Sequence, residues 1–256
     1  MEAILIIVVA FAASILTFFS GFGLGTLLTP AFLLFFPLPI AITMTAIVHF
    51  ANNIFKTGLI GSHTNRRVLL LFGIPAVIGV LPGVFLLDKL QAFDTITHYQ
   101  LFGKEYELTW LGLIIGILMI VFAIAEIKKG KQQVKDGHLS VGGFISGFFG
   151  GLSGHQGALR SLFLLGAGLG KEAFIATGVA ISLFIDVTRI PLYLNQQGAN
   201  ILEENWMLIL AAILAAFLGA VLGKRFLKKT SIQTLRFIVG MMLFIFGLLL
   251  MLGIMK

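Results

Sequence analysis

Hydrophobic residues run almost unbroken along this chain, and the places where they break define its organisation. Ten apolar stretches of helical character lie at roughly 3–20, 25–36, 38–61, 67–87, 108–126, 139–150, 157–169, 171–193, 205–223 and 232–254. About 20 apolar residues are needed to cross a bilayer as a helix. The third to fifth and the eighth to tenth are long enough; the second, sixth and seventh are short. The short ones flank two glycine turns, GFGLG at 21–25 and FFGGLSGHQGALR at 148–160. A membrane barrel would show runs of about ten residues with alternating polarity, and that pattern is missing. The expected fold is all-α, with eight to ten transmembrane segments.

Composition strengthens this reading. Of 256 residues, 58% are hydrophobic and 11% charged, too few charges to cover a soluble domain of this size. The 30 Gly and 25 Phe suit helices packed closely through small residues. With no cysteine, disulfides, thiolate metal ligands and cysteine nucleophiles are excluded, and neither metal nor cofactor is expected. The N-terminal stretch carries Glu2 instead of a basic region, so a retained first helix is expected rather than a cleaved leader.

A pI near 9.8 would suggest nucleic acid in a soluble protein. Here the cations fall on one side of the membrane, as the positive-inside rule requires. Arg66, Arg67, Lys128, Lys129, Lys131, Lys135, Lys171, Lys224, Arg225, Lys228, Lys229 and Arg236 share that side. The other side receives Lys89, Lys104 and Lys256 with most of the acids. The first set should be cytoplasmic, with both termini outside, in a multi-pass protein of the cell membrane.

Each half then reads helix, glycine turn, short helix, polar-striped helix, two plain helices. The boundaries are 1–127 for the first repeat, 128–138 for a cytoplasmic linker and 139–256 for the second. Five segments per half invert the second repeat relative to the first. An offset of 132 positions pairs Gly25 with Gly157 and Thr45 with Thr177. Short, glycine-interrupted segments at matching places in two halves point to a transporter's binding site, near the bilayer midplane.

That arrangement leaves Lys56, Arg160 and Arg189 inside the membrane, with Asp186 as the acid. Intramembrane charges normally face a partner, a ligand or water. Thr45, His49, Asn52, Asn53 and Lys56 recur at three- and four-residue intervals, as do Ser182, Asp186 and Arg189, so each set shares one helix face. A helix N-terminus beside a guanidinium is a ready anion site. The candidate substrate-binding residues are therefore Gly23, Gly25, Thr26, His49, Asn52, Asn53, Ser153, His155, Gln156, Arg160, Asp186 and Arg189. Against this stand structural roles: a snorkelling Lys56, a self-neutralising Asp186–Arg189 pair, and histidine or asparagines serving as interhelical glue.

The string GFGLGTLLTPAFLLFFPLPIAITMTAIVHFANNIFKTG resembles the first repeat of the sulfite exporter TauE/SafE family. The string GGLSGHQGALRSLFLLGAGLGKEAFIATGVAISLFIDVTR is similar to that family's second repeat. The resemblance implies a secondary transporter of small anions such as sulfite, sulfonates or sulfur-containing carboxylates. The second motif departs from the family's commoner form, since SGHQGALR lacks its closing proline, and this sets the substrate apart as an open question.

The expected function is alternating-access transport of a small anion, with Asp186 or His49 as the candidate proton carrier. The expected partners are that anion, protons as coupling ion and the lipid bilayer. Nucleic acid is not among them, and a homo-oligomer stays open. Two alternatives remain. Gly151-Leu152-Ser153-Gly154 spells GxSG, the nucleophile string of rhomboid-type intramembrane serine proteases, which need a base within hydrogen-bond reach. A passive anion channel is the other.

Overall fold

The computed structural model describes residues 2–20, 23–93, 95–101, 103–127, 136–198, 200–226 and 232–255. Within them lie ten α-helices: α1 (Glu2–Ser20), α2 (Gly25–Leu33), α3 (Leu38–Ile60), α4 (Arg66–Gln91), α5 (Trp110–Ile127), α6 (Asp136–Ser153), α7 (Gln156–Leu165), α8 (Lys171–Gln197), α9 (Asn200–Phe226) and α10 (Ile232–Met251). All ten apolar stretches are helical. Residues 128–135 of the expected linker, and Gly21 and Phe22 of the first turn, fall outside the described residues. Residues 136–138 already belong to α6.

Local chemistry sets several boundaries. Pro37 and Pro39 interrupt the run after α2 and open α3, where a missing N–H and a fixed φ are harmless. Asn65 caps α4 by accepting from the Val68 N–H at 3.0 Å. The α2 and α7 segments have nine and ten residues, about 15 Å of rise at most, so neither crosses a bilayer alone. Helices long and apolar enough to span, by length and composition, are Leu38–His63, Arg66–Gln91, Lys171–Gln197 and Asn200–Arg225.

Two details differ from the sequence reading. The α6 helix has 18 residues and continues through Gly150 and Gly151, where glycines suggested an end. These glycines are helical because α6 lies flat against α4. A Cβ at Gly143, Gly147 or Gly151 would strike the backbone of Phe72, Ala76 or Val80, and one at Gly79 or Gly83 would strike Phe144 or Phe148. Small residues permit such backbone approach between membrane helices. The second difference is a hairpin of β1 (Thr95–Leu101) and β2 (Lys104–Thr109) between α4 and α5, where an all-α fold was expected. Its turn uses Gly103 at φ +74°, a conformation glycine adopts without Cβ strain. Tyr99 ties the hairpin to the α10 end through the Leu252 carbonyl.

The packing follows a rule. Helix α1 lies along α9, α6 along α4, α5 along α10 and α3 along α8, while α4 also packs on α8 and α9 on α3. Exchanging α1–α5 with α6–α10 leaves these pairings unchanged. Directions obey the same exchange. Gly219 faces Phe11 and Gly223 faces Phe18, so α1 and α9 run parallel, as α4 and α6 do. The α5 and α10 helices run antiparallel, since Gly112 meets Leu250 and Gly240 meets Ala123. The short helices α2 and α7 lie enclosed by these pairs, with all of α2 buried.

Candidate functional site

The two glycine turns meet in the interior. A Cβ placed on Gly25 would lie 3.5 Å from the Gly154 carbonyl oxygen and 3.4 Å from Thr45 Cγ2. One placed on Gly23 would lie 2.8 Å from His49 Nε2. His49 sits at the middle of α3, so the crossing lies at half the height of the long helices. Gly154 takes φ +78°, which lets the chain reverse from α6 into α7. Its vacant Cβ position is 3.3 Å from Arg189 Nη1 and 3.8 Å from Thr29 Oγ1.

Asp186, fully buried on α8, gathers the polar residues of three helices. Its Oδ2 lies 2.6 Å from His49 Nδ1 and accepts from Asn53 Nδ2 at 3.3 Å. Its Oδ1 accepts from Arg189 Nε at 3.0 Å and Gln156 Nε2 at 3.4 Å, and Arg189 Nη2 is 2.8 Å away. Each carboxylate oxygen therefore has two partners, as a charge in this surrounding requires. Arg189 also donates from Nη1 to the Gly150 carbonyl at 3.0 Å, which fastens α8 to the end of α6.

Arg160, on α7, donates to Ser182 on α8. Gly178 makes room for it, because a Cβ there would lie 3.3 Å from Arg160 Nε. Ser182 in turn donates to the Gly178 carbonyl at 3.1 Å. The guanidinium is thus held one helical turn from Asp186, on the same face of α8.

Two candidates, and the intramembrane Lys56, are engaged elsewhere. Asn52 turns toward α1 and α9, next to Ser14 at 3.2 Å. Ser153 donates to its own helix, at the Phe149 carbonyl 3.0 Å away. Lys56 does not reach a surface: it is 3% exposed and donates to Thr17 Oγ1 at 3.3 Å. The polar faces of α3 and α8 therefore point into the protein, with His49, Asn53, Ser182 and Asp186 beside the turns.

The sequence reading missed Tyr193, whose hydroxyl donates to the Gly151 carbonyl at 2.6 Å. Its spacing of four from Arg189 placed it on the polar face, but a single tyrosine in an apolar run gave no other signal. Thr29 was missed as well. Its Oγ1 is buried without a hydrogen-bond partner, and so are Thr26 Oγ1, Thr45 Oγ1 and Gln156 Oε1. The ring nitrogens of His155 likewise make no hydrogen bond of ordinary geometry. Apart from Thr45, these groups belong to α2 or to the start of α7, and Thr45 touches α2 through Gly25.

No curated protein matches the chain. The family model described as sulfite exporter TauE/SafE matches residues 6–250, nearly the whole length. That match, over a helical membrane protein with paired glycine turns, decides the family: the chain belongs to the family described as sulfite exporter TauE/SafE.

Proposed function

We propose that this protein is a secondary transporter that binds a small anion where the two glycine turns cross. Membership of a family of membrane exporters supports transport. The observation that carries the site is the gathering of unpartnered buried polar groups there, on Thr26, Thr29, Thr45, His155 and Gln156. Nine in ten or more buried polar groups normally have a partner, so a cluster without partners marks the place of a ligand. Charge gives its sign. Among the described residues the buried cations are Lys56, Arg160 and Arg189, against Asp186 as the buried acid. An anion balances that excess and suits the N-termini of α2 and α7.

In this reading Gly23, Gly25 and Thr26 of the first turn face His155, Gln156 and Arg160 of the second across the anion. Asp186 and Arg189 hold the second turn in place, and His49 and Asn53 couple α3 to it. The close His49–Asp186 contact is suited to carrying a coupling proton. The exchange of α1–α5 with α6–α10, with antiparallel α3–α8 and α5–α10 pairs, supports two inverted repeats joined by a linker that ends before α6 begins at Asp136. Such repeats move against each other in alternating access. The cation distribution supports extracytoplasmic termini in a cell membrane. Single cysteines at Lys131 and Gln91 test this: an impermeant maleimide on intact cells should label position 91 and spare 131.

The protease alternative finds little support. The Ser153 hydroxyl donates to the Phe149 carbonyl, and His49 is engaged by Asp186, so neither forms the nucleophile–base contact that catalysis needs.

A thermal-shift screen of small oxoanions on purified protein tests the site. A ligand at 100 times its Kd stabilises by about 2.7 kcal/mol. At least one small anion should give a saturable rise in Tm that Arg160→Ala abolishes. A flat response to sulfite, sulfonates and small carboxylates alike contradicts the reading.

A further inference from the structure

Two helix boundaries align α1 with α6 and α3 with α8 one position away from the sequence matches, while the ends of α2 and α7 keep the offset of 132. The α1 helix ends at Ser20 and α6 at Ser153, while α3 starts at Leu38 and α8 at Lys171. Both pairs are separated by 133 positions (153 minus 20, 171 minus 38), one more than the sequence matches suggested. At this offset Lys56 corresponds to Arg189, Asn53 to Asp186, Thr17 to Gly150 and Ile60 to Tyr193. The contacts correspond too. Arg189 donates to the Gly150 carbonyl, and Lys56 donates to the Thr17 hydroxyl at 3.3 Å.

One component has no counterpart. Arg189 has an acid three residues earlier, whereas Lys56 has Asn53, whose amide is turned toward Asp186. The partners of Lys56 are neutral. Besides Thr17, the Asn52 oxygen lies 3.2 Å away when the amide nitrogen donates to Ala216 and Ser14, and the Phe18 ring is 5.5 Å from Nζ. Among the described residues no ion pair joins Lys56 to a carboxylate. Burying a cation without a counter-charge is costly, and a bound anion removes that cost.

Building on the anion-transport reading above, we propose that Lys56, with Ser14, Thr17 and Asn52, forms a second anion subsite on the cytoplasmic side of the crossing. Lys56 lies four residues from the end of α3, about 6 Å of rise, and the next turn reaches the face where Lys224 donates to the Leu59 carbonyl. The anion pauses there between the cytoplasm and the turns. The ligand is a small oxoanion: the ammonium supplies charge, and the Ser14 and Thr17 hydroxyls supply short-range donors to its oxygens. The outer half needs no matching stop, because Asp186 already neutralises Arg189.

The test is flux of ³⁵S-sulfite and ³⁵S-methanesulfonate in proteoliposomes with the anion offered from one face at a time. Lys56→Met should raise the KM at the cytoplasmic face by about tenfold or more, the scale of one lost charge-assisted contact. The KM at the outer face should stay near wild type, and Lys56→Arg should retain most cytoplasmic affinity. Thr17→Asp separates binding from folding. It gives Lys56 an internal counter-charge, so the protein folds, yet the carboxylate occupies the subsite and the cytoplasmic KM should rise. If Lys56 serves the fold alone, Thr17→Asp keeps the wild-type KM at both faces. Unchanged cytoplasmic KM in Thr17→Asp and Lys56→Met overturns this inference and leaves the crossing site standing. A wild-type protein with no saturable flux of either probe removes both.

Discussion

The polar faces of α3 and α8 hold equivalent places in the molecule but solve the problem of buried charge differently. On α8 the solution is internal. Asp186 and Arg189 neutralise each other, and His49, Asn53 and Gln156 take up the remaining bonds of the carboxylate. On α3 the acid is replaced by Asn53 and the guanidinium by Lys56, which is left among neutral oxygens. The α8 face is therefore a post fastened to both sides of the second turn, at Gly150 and Gln156. The α3 face has spare positive charge, which an anion can answer. On the proposed reading, the two halves do different work on one scaffold.

The largest effect should come from breaking the α8 post. Asp186→Asn leaves Arg189 buried without its counter-charge, and removing one member of a buried pair costs about 3–5 kcal/mol. Thermal or denaturant unfolding in detergent should show it, with much of the loss recovered in Asp186→Asn/Arg189→Met. An Asp186→Asn protein of wild-type stability would place the neutralising charge elsewhere.

Next is Arg160, which the proposed anion site includes. Its loss removes a charge-assisted contact worth about 1.5–3 kcal/mol, so Arg160→Ala should weaken anion binding by about ten- to a hundredfold. Arg160→Lys keeps the charge without the planar fork and should restore binding in part. A structural role predicts instead that Arg160→Ala destabilises the fold through the lost contact to Ser182 while folded protein keeps its affinity. Equilibrium binding to folded variants separates the two.

The smallest effect is expected from Tyr193→Phe. It deletes one hydroxyl contact to the α6 end, so stability should fall by about 0.5–1.5 kcal/mol with anion affinity unchanged. A larger loss of affinity than of stability would move Tyr193 from the post into the site.

Much of this was legible in the sequence because membrane helices announce themselves by length and hydrophobicity. All ten segments, both turns and the inward polar faces of α3 and α8 followed from spacing. The end of α6 did not, because glycine reads as a breaker until the neighbouring backbone that requires it is known. Gly143, Gly147 and Gly151 are helical because α4 lies against them. The β-hairpin was hidden for a related reason: its strands form a small exposed ribbon with no apolar period. Among the candidate residues, spacing put His49 and Asn53 on one helix face and Asp186 and Arg189 on another, and these faces meet at Asp186. Spacing could not show that Asn52 spends its amide on α1 and α9 or that Ser153 spends its hydroxyl on the Phe149 carbonyl of its own helix, since residues on one helix face can still turn to different partners. The repeat register varies along the chain: the identities and the ends of α2 and α7 give 132, while the boundaries that match α1 with α6 and α3 with α8 give 133.

The central claim is that a small anion bound at the crossing is carried across the membrane. Counterflow in proteoliposomes tests it most directly: vesicles loaded with unlabelled sulfite or methanesulfonate are diluted into trace ³⁵S-labelled anion, with wild type and Arg160→Ala side by side. The account predicts transient, saturable accumulation of label in the wild type and its loss or sharp reduction in Arg160→Ala. Anion conductance without counterflow, or counterflow of wild-type size in Arg160→Ala, would contradict it.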